Sequence, residues 1–293
     1  MGKNQDYIIF ADTVCELTKD EYAENSVVPM YFGLVMEGKE YKDDFGASID
    51  TKEVYKKLRE GVVLTTQQAE MQTIYNEFTE ILEKGRDILY VCFSAALSGN
   101  YSTAYIVAKE LKEKYPDREI YIIDSCCAAG GHGMIVRFAI ELKKQGMSVK
   151  EAAATLENEK HTFCHWFIVD DLNFLHRGGR VSKTAAIMGT FIGIKPILYT
   201  NREGQLIPFD KVRGRQQALK YLTEKMKELG EDLDNQVITI SHGDCINEAE
   251  YLAQMIRENC KVKDIRIDML SPVIGSHSGP GTVALFFRGK DRV

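Results

Sequence analysis

The sequence predicts an α/β protein of two domains, an N-terminal parallel sheet with helices on both faces and a C-terminal mixed α/β domain. Its 293 residues are typical of two domains or of one large α/β unit. In the first half, an apolar run, a polar tip and a helical pattern follow one another repeatedly, as in right-handed βαβ units. After the Ala- and Glu-rich segment 151–160, two apolar runs joined by a glycine-containing turn indicate an antiparallel hairpin.

In the first half, short apolar runs predict buried strands, and apolar residues at three- and four-residue spacing predict helices with one buried face. The strands are predicted at 7–10, 88–93 and 119–123, and the helices at 71–82, 101–111 and 135–142. Gly85 ends the first helix and Pro116 follows the second, which are ordinary stop signals. The strands are therefore expected to alternate with helices in one parallel sheet.

The second half has a different pattern. A strand at 163–169 precedes the segment 173–180, an apolar helix that starts near Ser182, and the hairpin of 194–198 with 206–209 through the turn 201–204. We place the domain boundary near residue 155, with an N-terminal domain of residues 1–155 and a C-terminal domain of residues 156–293.

Composition and charge exclude several classes of function. Lys plus Arg total 37 and Asp plus Glu total 43, a net charge of −6 that offers no bulk attraction for nucleic acid. The seven cysteines include no C-x-x-C pair, which favours reduced thiols. Neither an export signal at the N-terminus nor an apolar run of 18 residues is present. We expect a cytoplasmic protein without a membrane span.

The common nucleotide, zinc-protease and hydrolase motifs are missing from the sequence. His161 and His165 are four residues apart, but their surroundings read as a strand, on which they would not share a helical face. We therefore expect neither a metal site nor a cofactor.

Small polar clusters, rich in hydroxyls, stand at the ends of apolar runs. They are Asp12 with Thr13, residues 65–67, Ser94 with residues 98–100, and Asp124 with Ser125. Hydroxyls and the free N–H groups of a helix N-terminus suit a carboxylate or a phosphate. Taken alone, Ser98 fits better as a simple helix N-cap, and Thr65 fits better as a turn residue.

Two later segments also suggest an anion site. Arg177 and Arg180 flank a Gly-Gly pair, where the backbone bends and guanidinium groups could reach an anion, although a solvated turn has the same composition. His277 lies in the glycine-rich stretch 275–281, which we interpret as a loop that permits close approach of a ligand.

Taken together, these segments resemble the DegV family of bacterial fatty-acid-binding proteins over nearly the whole chain. The resemblance is carried by Asp12-Thr13, Thr65-Thr66-Gln67, the Leu-Ser-Gly-x-Tyr core of residues 94–101, Asp124-Ser125, residues 177–182, residues 195–198 and residues 275–281. It implies a long-chain fatty acid held between two domains, with its carboxylate bound by hydroxyls.

The resemblance also implies roles for individual residues. Thr65 and either Ser94 or Ser98 would bind the carboxylate, and Arg180 and His277 would support phosphoryl transfer. The further ligand-binding positions would be Asp12, Thr13, Thr66, Gly99, Ser125, Gly275, Ser276 and His277 itself. The expected partner is a separate dihydroxyacetone-kinase-like fatty acid kinase subunit, which would convert the bound acid to acyl-phosphate for phospholipid synthesis. Thr66, Gln68 and Asn100 depart from the usual Ser, Pro and Thr of the family.

An acyl chain needs apolar walls, and the second half supplies aromatic and aliphatic candidates for them. These candidates are Phe163, Trp166, Phe167, Ile168, Ile187, Met188, Phe191, Ile192 and Phe286. Periodicity does not separate cavity lining from ordinary core, so we expect a minority of them to contact a lipid.

Two alternatives remain open at this point. A serine acyl hydrolase would use Ser94 or Ser98 with His277 and an acid, either Asp12 or Asp124, although the chain has no nucleophile elbow. A regulatory protein that senses a lipid would need the same binding site and a different protein partner.

Overall fold

The computed structural model of the protein describes residues 6–182 and 193–292. The strands are β1 (Tyr7–Asp12), β2 (Val27–Met30), β3 (Gly33–Met36), β4 (Lys39–Lys42), β5 (Thr65–Gln67), β6 (Asp87–Cys92), β7 (Ile120–Asp124), β8 (Phe163–Ile168), β9 (Ile194–Thr200), β10 (Leu206–Arg213), β11 (Val237–His242), β12 (Asp264–Met269) and β13 (Val283–Arg288). The α-helices are α1 (Lys19–Glu24), α2 (Thr51–Arg59), α3 (Met71–Glu83), α4 (Asn100–Lys114), α5 (Ala129–Lys144), α6 (Val149–Glu159), α7 (Asn173–Arg177), α8 (Arg215–Leu229), α9 (Ile246–Asn259) and α10 (Pro272–Ser278).

The strands form three sheets. Sheet A is parallel and has the order β2-β1-β6-β7. Sheet B is a small antiparallel sheet of order β4-β3-β5, in which Leu34 pairs with Thr66. Sheet C is mixed, with the order β10-β9-β8-β13-β11-β12.

Sheet A is covered on both faces, which explains its continuous apolar strands. Because side chains alternate along a strand, Phe10 packs in the core with α3 and α4, whereas Ile9 packs with α5 and α6. Ile135 of α5 is fully buried against this second face. The predicted parallel sheet with helices on both faces is therefore confirmed.

Helix α5 also contacts sheet C, so it lies between the two larger sheets. A Cβ at Gly131 would overlap the ring of His165 in β8, and one at Gly130 would lie 2.7 Å from Ser241 Oγ in β11. Only glycine allows the helix backbone to approach sheet C this closely. These two glycines thus fix the distance between the sheets on which the cavity described below depends.

The predicted hairpin of the second half is confirmed, because β9 and β10 pair antiparallel across the turn 201–204. The predicted apolar helix beyond Ser182 lies outside the described residues. Sheet A ends at Asp124 and sheet C begins at Phe163. The domain boundary near residue 155, which falls within α6, stays a prediction.

The interpretation of residues 275–281 as a loop is wrong for most of that stretch. Ser271 caps α10 by accepting a hydrogen bond from Ile274 N, and Pro272 occupies the first turn, where a missing N–H costs nothing. The helix continues through His277 and ends at Gly279, whose φ of +83° suits glycine. His277 is therefore held on a helix.

Candidate functional site

A cavity of about 620 Å³ lies where the three sheets meet, beside the carboxyl ends of the sheet A strands. Most of its lining is apolar and comes from all three sheets and their connections. The apolar lining comprises Val14, Phe32, Ala69, Met71, Phe93, Leu97, Ala128, Ala129, Phe167, Leu175, Leu206, Leu270, Val273, Ile274, Ala284 and Phe286. This size falls in the range of small-molecule sites.

Polar side chains gather at one end of the cavity, which we call the head end. Thr66 of β5 and His277 of α10 share a hydrogen bond of 2.8 Å between Oγ1 and Nε2, although they are 211 residues apart in sequence. Both residues line the cavity. The bond ties sheet B to α10 at the cavity wall.

Arg180 also lines the head end. Its Nε and Nη2 donate to Leu97 O at 3.1 and 2.8 Å, and Nη1 donates to Gly178 O. A Cβ at Gly178 would overlap the His277 ring, which shows how closely the arginine loop packs on α10. Among the described residues, Arg180 forms no salt bridge, so its charge is balanced by carbonyl oxygens alone.

The electrostatics of the head end favour an anion. Burial and the neighbouring Arg180 guanidinium lower the pKa of His277 to about 4, so the imidazole is neutral at pH 7. Burial also lowers the pKa of Arg180 from its usual value. A half-buried guanidinium beside a neutral imidazole and a hydroxyl offers several hydrogen-bond donors and one positive charge.

The loop between β6 and α4 forms the adjoining wall, and a buried carboxylate holds it. Asp12 accepts hydrogen bonds from Phe93 N at 2.7 Å, from Asn100 Nδ2 at 2.9 Å and from the Tyr90 hydroxyl. Burial raises the pKa of Asp12 to about 7, against these hydrogen bonds, which lower it. Asp12 thus positions Leu97 and the start of α4 from behind the wall.

The cavity opens to solvent at the head end. Gln68 follows β5, and its Nε2 donates to Thr103 Oγ1 of α4 at 2.8 Å, while a Cβ at Gly99 would lie 2.8 Å from Gln68 Oε1. These residues line the cavity together with the exposed Glu70 and Met71. A ligand with its polar group at the head end would therefore present that group near the surface.

Residues 7–290 match the family model described as "Uncharacterised protein, DegV family". The chain belongs to the DegV family. The resemblance predicted from the sequence is thereby confirmed.

Relatives and solved structures agree with this assignment over nearly the full length. A DegV domain-containing protein of Clostridium perfringens is 42% identical over 285 residues, covering 97% of each chain. A solved DegV family protein from Thermus thermophilus, described as binding fatty acid, matches with a TM-score of 0.87 and 26% identity, covering 97% of this chain and 99% of that one. A fatty-acid-binding DegV family protein from Streptococcus agalactiae matches with a TM-score of 0.85 and 26% identity, covering 97% and 99%.

In this DegV chain, several sequence-predicted site residues meet at the cavity. Thr66, Ser98, Gly99, Arg180 and His277 all line it. Ser98 Oγ accepts a hydrogen bond from Asn100 N at 3.3 Å, one residue before the N-cap position of α4, which Gly99 occupies. Ser94 and Ser98 were alternatives from the sequence, and only Ser98 of the two belongs to the lining.

Other predicted ligand-binding residues stand outside the lining of the DegV cavity. Thr65 is exposed on β5, one position from Thr66. Ser94 Oγ is buried and donates to Gly204 O at 3.0 Å. The other predicted ligand-binding residues outside the lining contact other protein groups instead. They are Asp12, Thr13, Ser125, Gly275 and Ser276. Their predicted direct contact with a ligand finds no support in this geometry.

Only some of the predicted wall residues face the cavity, because side chains alternate between the two faces of β8. Phe167 lines the cavity, whereas Trp166 and Ile168 point to the opposite face of sheet C and pack with α8 and α9. Phe286 lines the cavity, and Phe163 packs instead in the core with α5. The predicted wall residues Ile187, Met188, Phe191 and Ile192 lie outside the described residues.

Sequence reasoning missed part of the lining. The polar lining residues that were not assigned to a ligand are Gln67, Gln68, Glu70, Thr103, His165, Thr200, Ser278 and Thr282. Of these, Gln67 and Ser278 lie in the segments 65–67 and 275–281 that the sequence had indicated. Gln68 had a signal, since it departs from the family pattern, and Thr103 follows Gly99 by one helical turn. His165 and Phe167 are two positions apart on β8, so the period of a strand predicts that they lie on the same face.

The arrangement of side chains was also compared with what a hydrolase, a metal site and a membrane span require. The structure brings no hydrolase triad together in its described parts: His277 Nε2 bonds to Thr66, and Asp12 bonds to Tyr90, Phe93 and Asn100. Within residues 6–182 and 193–292, no group of three or more His, Cys, Asp and Glu is arranged to hold a metal ion. In the same ranges, no helix combines the length and apolar character that crossing a bilayer requires.

Proposed function

We propose that this DegV chain binds a long-chain fatty acid, with the carboxylate at the head end and the acyl chain along the apolar cavity. The observation that carries the proposal is the half-buried Arg180 guanidinium, which lies beside Thr66 and His277 in an otherwise largely apolar cavity. The fatty-acid-binding DegV structures named above support it.

The energetics favour such a ligand. Each buried CH₂ contributes roughly 0.8 kcal/mol, so a dozen methylenes give on the order of 10 kcal/mol before ordering costs. A carboxylate is costly to bury unless donors meet it. Arg180 donates to Leu97 O, next to Ser98, and lies near His277, the hydrogen-bond partner of Thr66. The guanidinium and the two hydroxyls could therefore supply these donors together.

The test is ligand identification followed by binding measurements on matched variants. Mass spectrometry of the purified protein should find a stoichiometric long-chain fatty acid, or the emptied protein should bind one added to it. Arg180→Gln removes a charge-assisted contact and should weaken binding roughly ten- to a hundredfold. Arg177→Gln, a change at an exposed arginine outside the lining, is the matched control. A protein that neither retains nor binds any fatty acid would overturn the proposal.

We further propose that the bound acid is presented to a separate dihydroxyacetone-kinase-like kinase. The exposed rim of Glu70, Met71 and Gly99 supports this step, because a carboxylate at the head end would be accessible from outside. A carboxylate oxygen would attack the γ-phosphorus of ATP bound to the kinase, and ADP would leave. Arg180 could stabilise the transferring charge.

The kinase step has its own experiment. With such a kinase and ATP, the loaded protein should yield acyl-phosphate, trapped as the hydroxamate. His277→Ala should lower the yield at least tenfold while the acid, measured by extraction, stays bound. Normal transfer by that variant would remove His277 from the proposed role, and no transfer by the unmodified protein would contradict the kinase step while leaving fatty acid binding intact.

A further inference from the structure

The end of the cavity opposite the head end is not purely apolar. Thr282 donates from Oγ1 to Ser278 O and Gly279 O, beside His277, so it marks the head-end side of β13. Phe286, four residues further along, lines the cavity too. At about 3.3 Å per strand residue, Phe286 is roughly 13 Å away along the strand. The wall around it, which we call the far wall, consists of His165, Thr200, Leu206 and Phe286.

The far wall is built by strand register. His165 pairs with Phe286 across β8 and β13, with ring centroids 5.2 Å apart. Thr200 pairs with Leu206 of β10. In the antiparallel pair of β8 and β9, Trp166 lies opposite Tyr199, so the next position along places Thr200 opposite His165. His165 and Thr200 are each only 2% exposed. Two polar side chains thus stand where the methyl end of a plain acyl chain would need apolar contacts.

The Thr200 hydroxyl differs from the other threonines of the lining. Thr66 is bonded to His277, Thr103 to Gln68, and Thr282 to backbone carbonyls. The side chain of Thr200 makes no such hydrogen bond with the described residues. Because Thr200 lines the cavity, its hydroxyl is available as a donor and an acceptor to whatever occupies the cavity.

The groups behind the far wall make it electropositive. Arg292 is 5% exposed and donates from Nη1 to Cys126 O at 2.7 Å and from Nη2 to Lys160 O at 3.0 Å, with no salt bridge to a carboxylate in the described chain. Its Nη1 lies 3.4 Å from His165 Nδ1. Because a guanidinium only donates, Nδ1 is the acceptor and the imidazole proton is on Nε2. Nε2 has no partner among the described residues.

We propose that the far wall is a subsite for a hydroxyl or keto oxygen carried by the distal half of the acyl chain. The Thr200 hydroxyl bonds to that oxygen, and the buried Arg292 and His165 provide a field that favours an electron-rich atom. The inference rests on the proposed function, since it assumes that the carboxylate lies at the head end. It extends the ligand class from plain fatty acids to fatty acids that carry an oxygen in the distal half of the chain.

The test compares stearic acid with hydroxystearic acids whose hydroxyl stands at successive carbons from the middle of the chain to the methyl end. At an apolar wall, an unbonded hydroxyl would weaken binding by roughly five- to a hundredfold. We expect at least one hydroxystearic acid to bind as tightly as stearic acid. If every one of them binds more weakly by fivefold or more, the subsite is wrong.

Variants of Thr200 locate the effect. Thr200→Val keeps the shape and should weaken the best hydroxystearic acid roughly three- to tenfold relative to stearic acid, whereas Thr200→Ser, which retains the hydroxyl, should restore the ratio. Thr73→Val, the same change at an exposed position outside the lining, should leave the ratio unaltered. An unchanged ratio in Thr200→Val overturns the inference even though fatty acid binding persists, whereas failure of all the acids to bind contradicts the proposed function itself.

Discussion

Thr65 and Thr66 are neighbours of the same residue type in opposite environments. Thr66 is bonded to His277 at the cavity wall, and Thr65 is exposed on the same strand. Side chains alternate along a strand, so a shift of one position exchanges the cavity face and the solvent face. The family resemblance assigned the carboxylate to Thr65, whereas the structure favours Thr66 for that role.

This difference gives the first prediction. Thr66→Val should weaken fatty acid binding roughly three- to tenfold, because one donor to the carboxylate and the partner of His277 are lost. Thr65→Val changes the same group on the exposed face and should leave the dissociation constant unchanged. Titration of both delipidated variants with a fluorescent fatty acid measures the effect. Weaker binding in Thr65→Val alone would restore the assignment made from the sequence.

A second residue-scale prediction concerns pH. Asp43 is 5% exposed, its Oδ2 has no hydrogen-bond partner among the described residues, and burial raises its pKa to about 7. Because the pKa of Asp43 is higher in the folded protein than in the unfolded chain, protonated Asp43 stabilises the fold. This stabilisation is fully present below the unfolded pKa of about 3.9 and is lost as the pH rises through 7. The free energy of unfolding should therefore fall between pH 5 and pH 8, by at most about 1.4 kcal/mol per pH unit for this group.

Asp43→Asn should flatten that fall, since the amide stays neutral. Urea unfolding of the two proteins at pH 5 and pH 8 measures it, and Asp117→Asn, at an exposed position, is the control. Asp12 has a raised pKa for the same reason, so part of the slope should remain. A slope equal to that of the unmodified protein would show that Asp43 does not titrate in this range.

At the scale of elements, the sequence predicted well what local patterns specify. β1 and β6 are apolar because both faces of sheet A are buried, and α3 has a clear apolar face. β5 is only three residues, Thr-Thr-Gln, without any apolar periodicity, so its pairing in sheet B was not predictable. Residues 275–281 were predicted as a loop because they are rich in glycine. The Ser271-Pro272 pair just before them, which is a typical helix start, was the better indicator of α10.

The candidate site was less predictable than the elements that form it. Local patterns place Thr66 and His277 on two separate segments, and no spacing rule relates residues 211 positions apart. The family resemblance named Arg180 and His277. Their contacts with Leu97 and Thr66 depend on the tertiary packing of separate segments, which the sequence does not specify. Thr200 could be assigned to the cavity only from the assembled sheets.

The approach of α5 to sheet C gives a prediction at this scale. Gly131→Ala adds a methyl group that overlaps the His165 ring and lies 2.9 Å from Phe286 Cδ1. Overpacking typically costs about 1–3 kcal/mol, and a methyl group that overlaps a buried ring falls in the upper part of that range, about 2–3 kcal/mol. Ala gains about 1 kcal/mol of helix propensity over Gly, which offsets part of this cost. We expect a net loss of about 1–2 kcal/mol in the free energy of unfolding.

Urea unfolding measures that loss, and Ser102→Ala on the exposed part of α4 should change the stability by no more than about 0.5 kcal/mol. Gly131→Ala should also weaken fatty acid binding, because His165 and Phe286 both line the cavity. A variant as stable as the unmodified protein would mean that α5 shifts without cost, and that the spacing of the sheets is not set by this glycine.

At the scale of the whole molecule, the cavity connects parts of the chain that are far apart in sequence. Its walls include Val14, Phe32 and Phe93 from the first half and Phe167 and Phe286 from the second. Among the described residues, one apolar core supports these walls by combining residues of sheet B, α7, α10 and sheet C. A ligand in the cavity therefore contacts both halves at once, and its binding free energy adds to the interface between them.

This arrangement yields the last prediction. A ligand that binds only the folded state stabilises it by RT ln(1 + [L]/Kd), about 2.7 kcal/mol at a hundredfold excess over Kd. Trp166, the single tryptophan, lies in β8 and reports on sheet C, while amide exchange in β1 reports on sheet A. Because the ligand contacts both halves, a fatty acid should raise both measures of stability by the same amount. Arg180→Gln at the same fatty acid concentration should show a smaller rise, and a rise confined to one probe would mean that the ligand is held by one half alone.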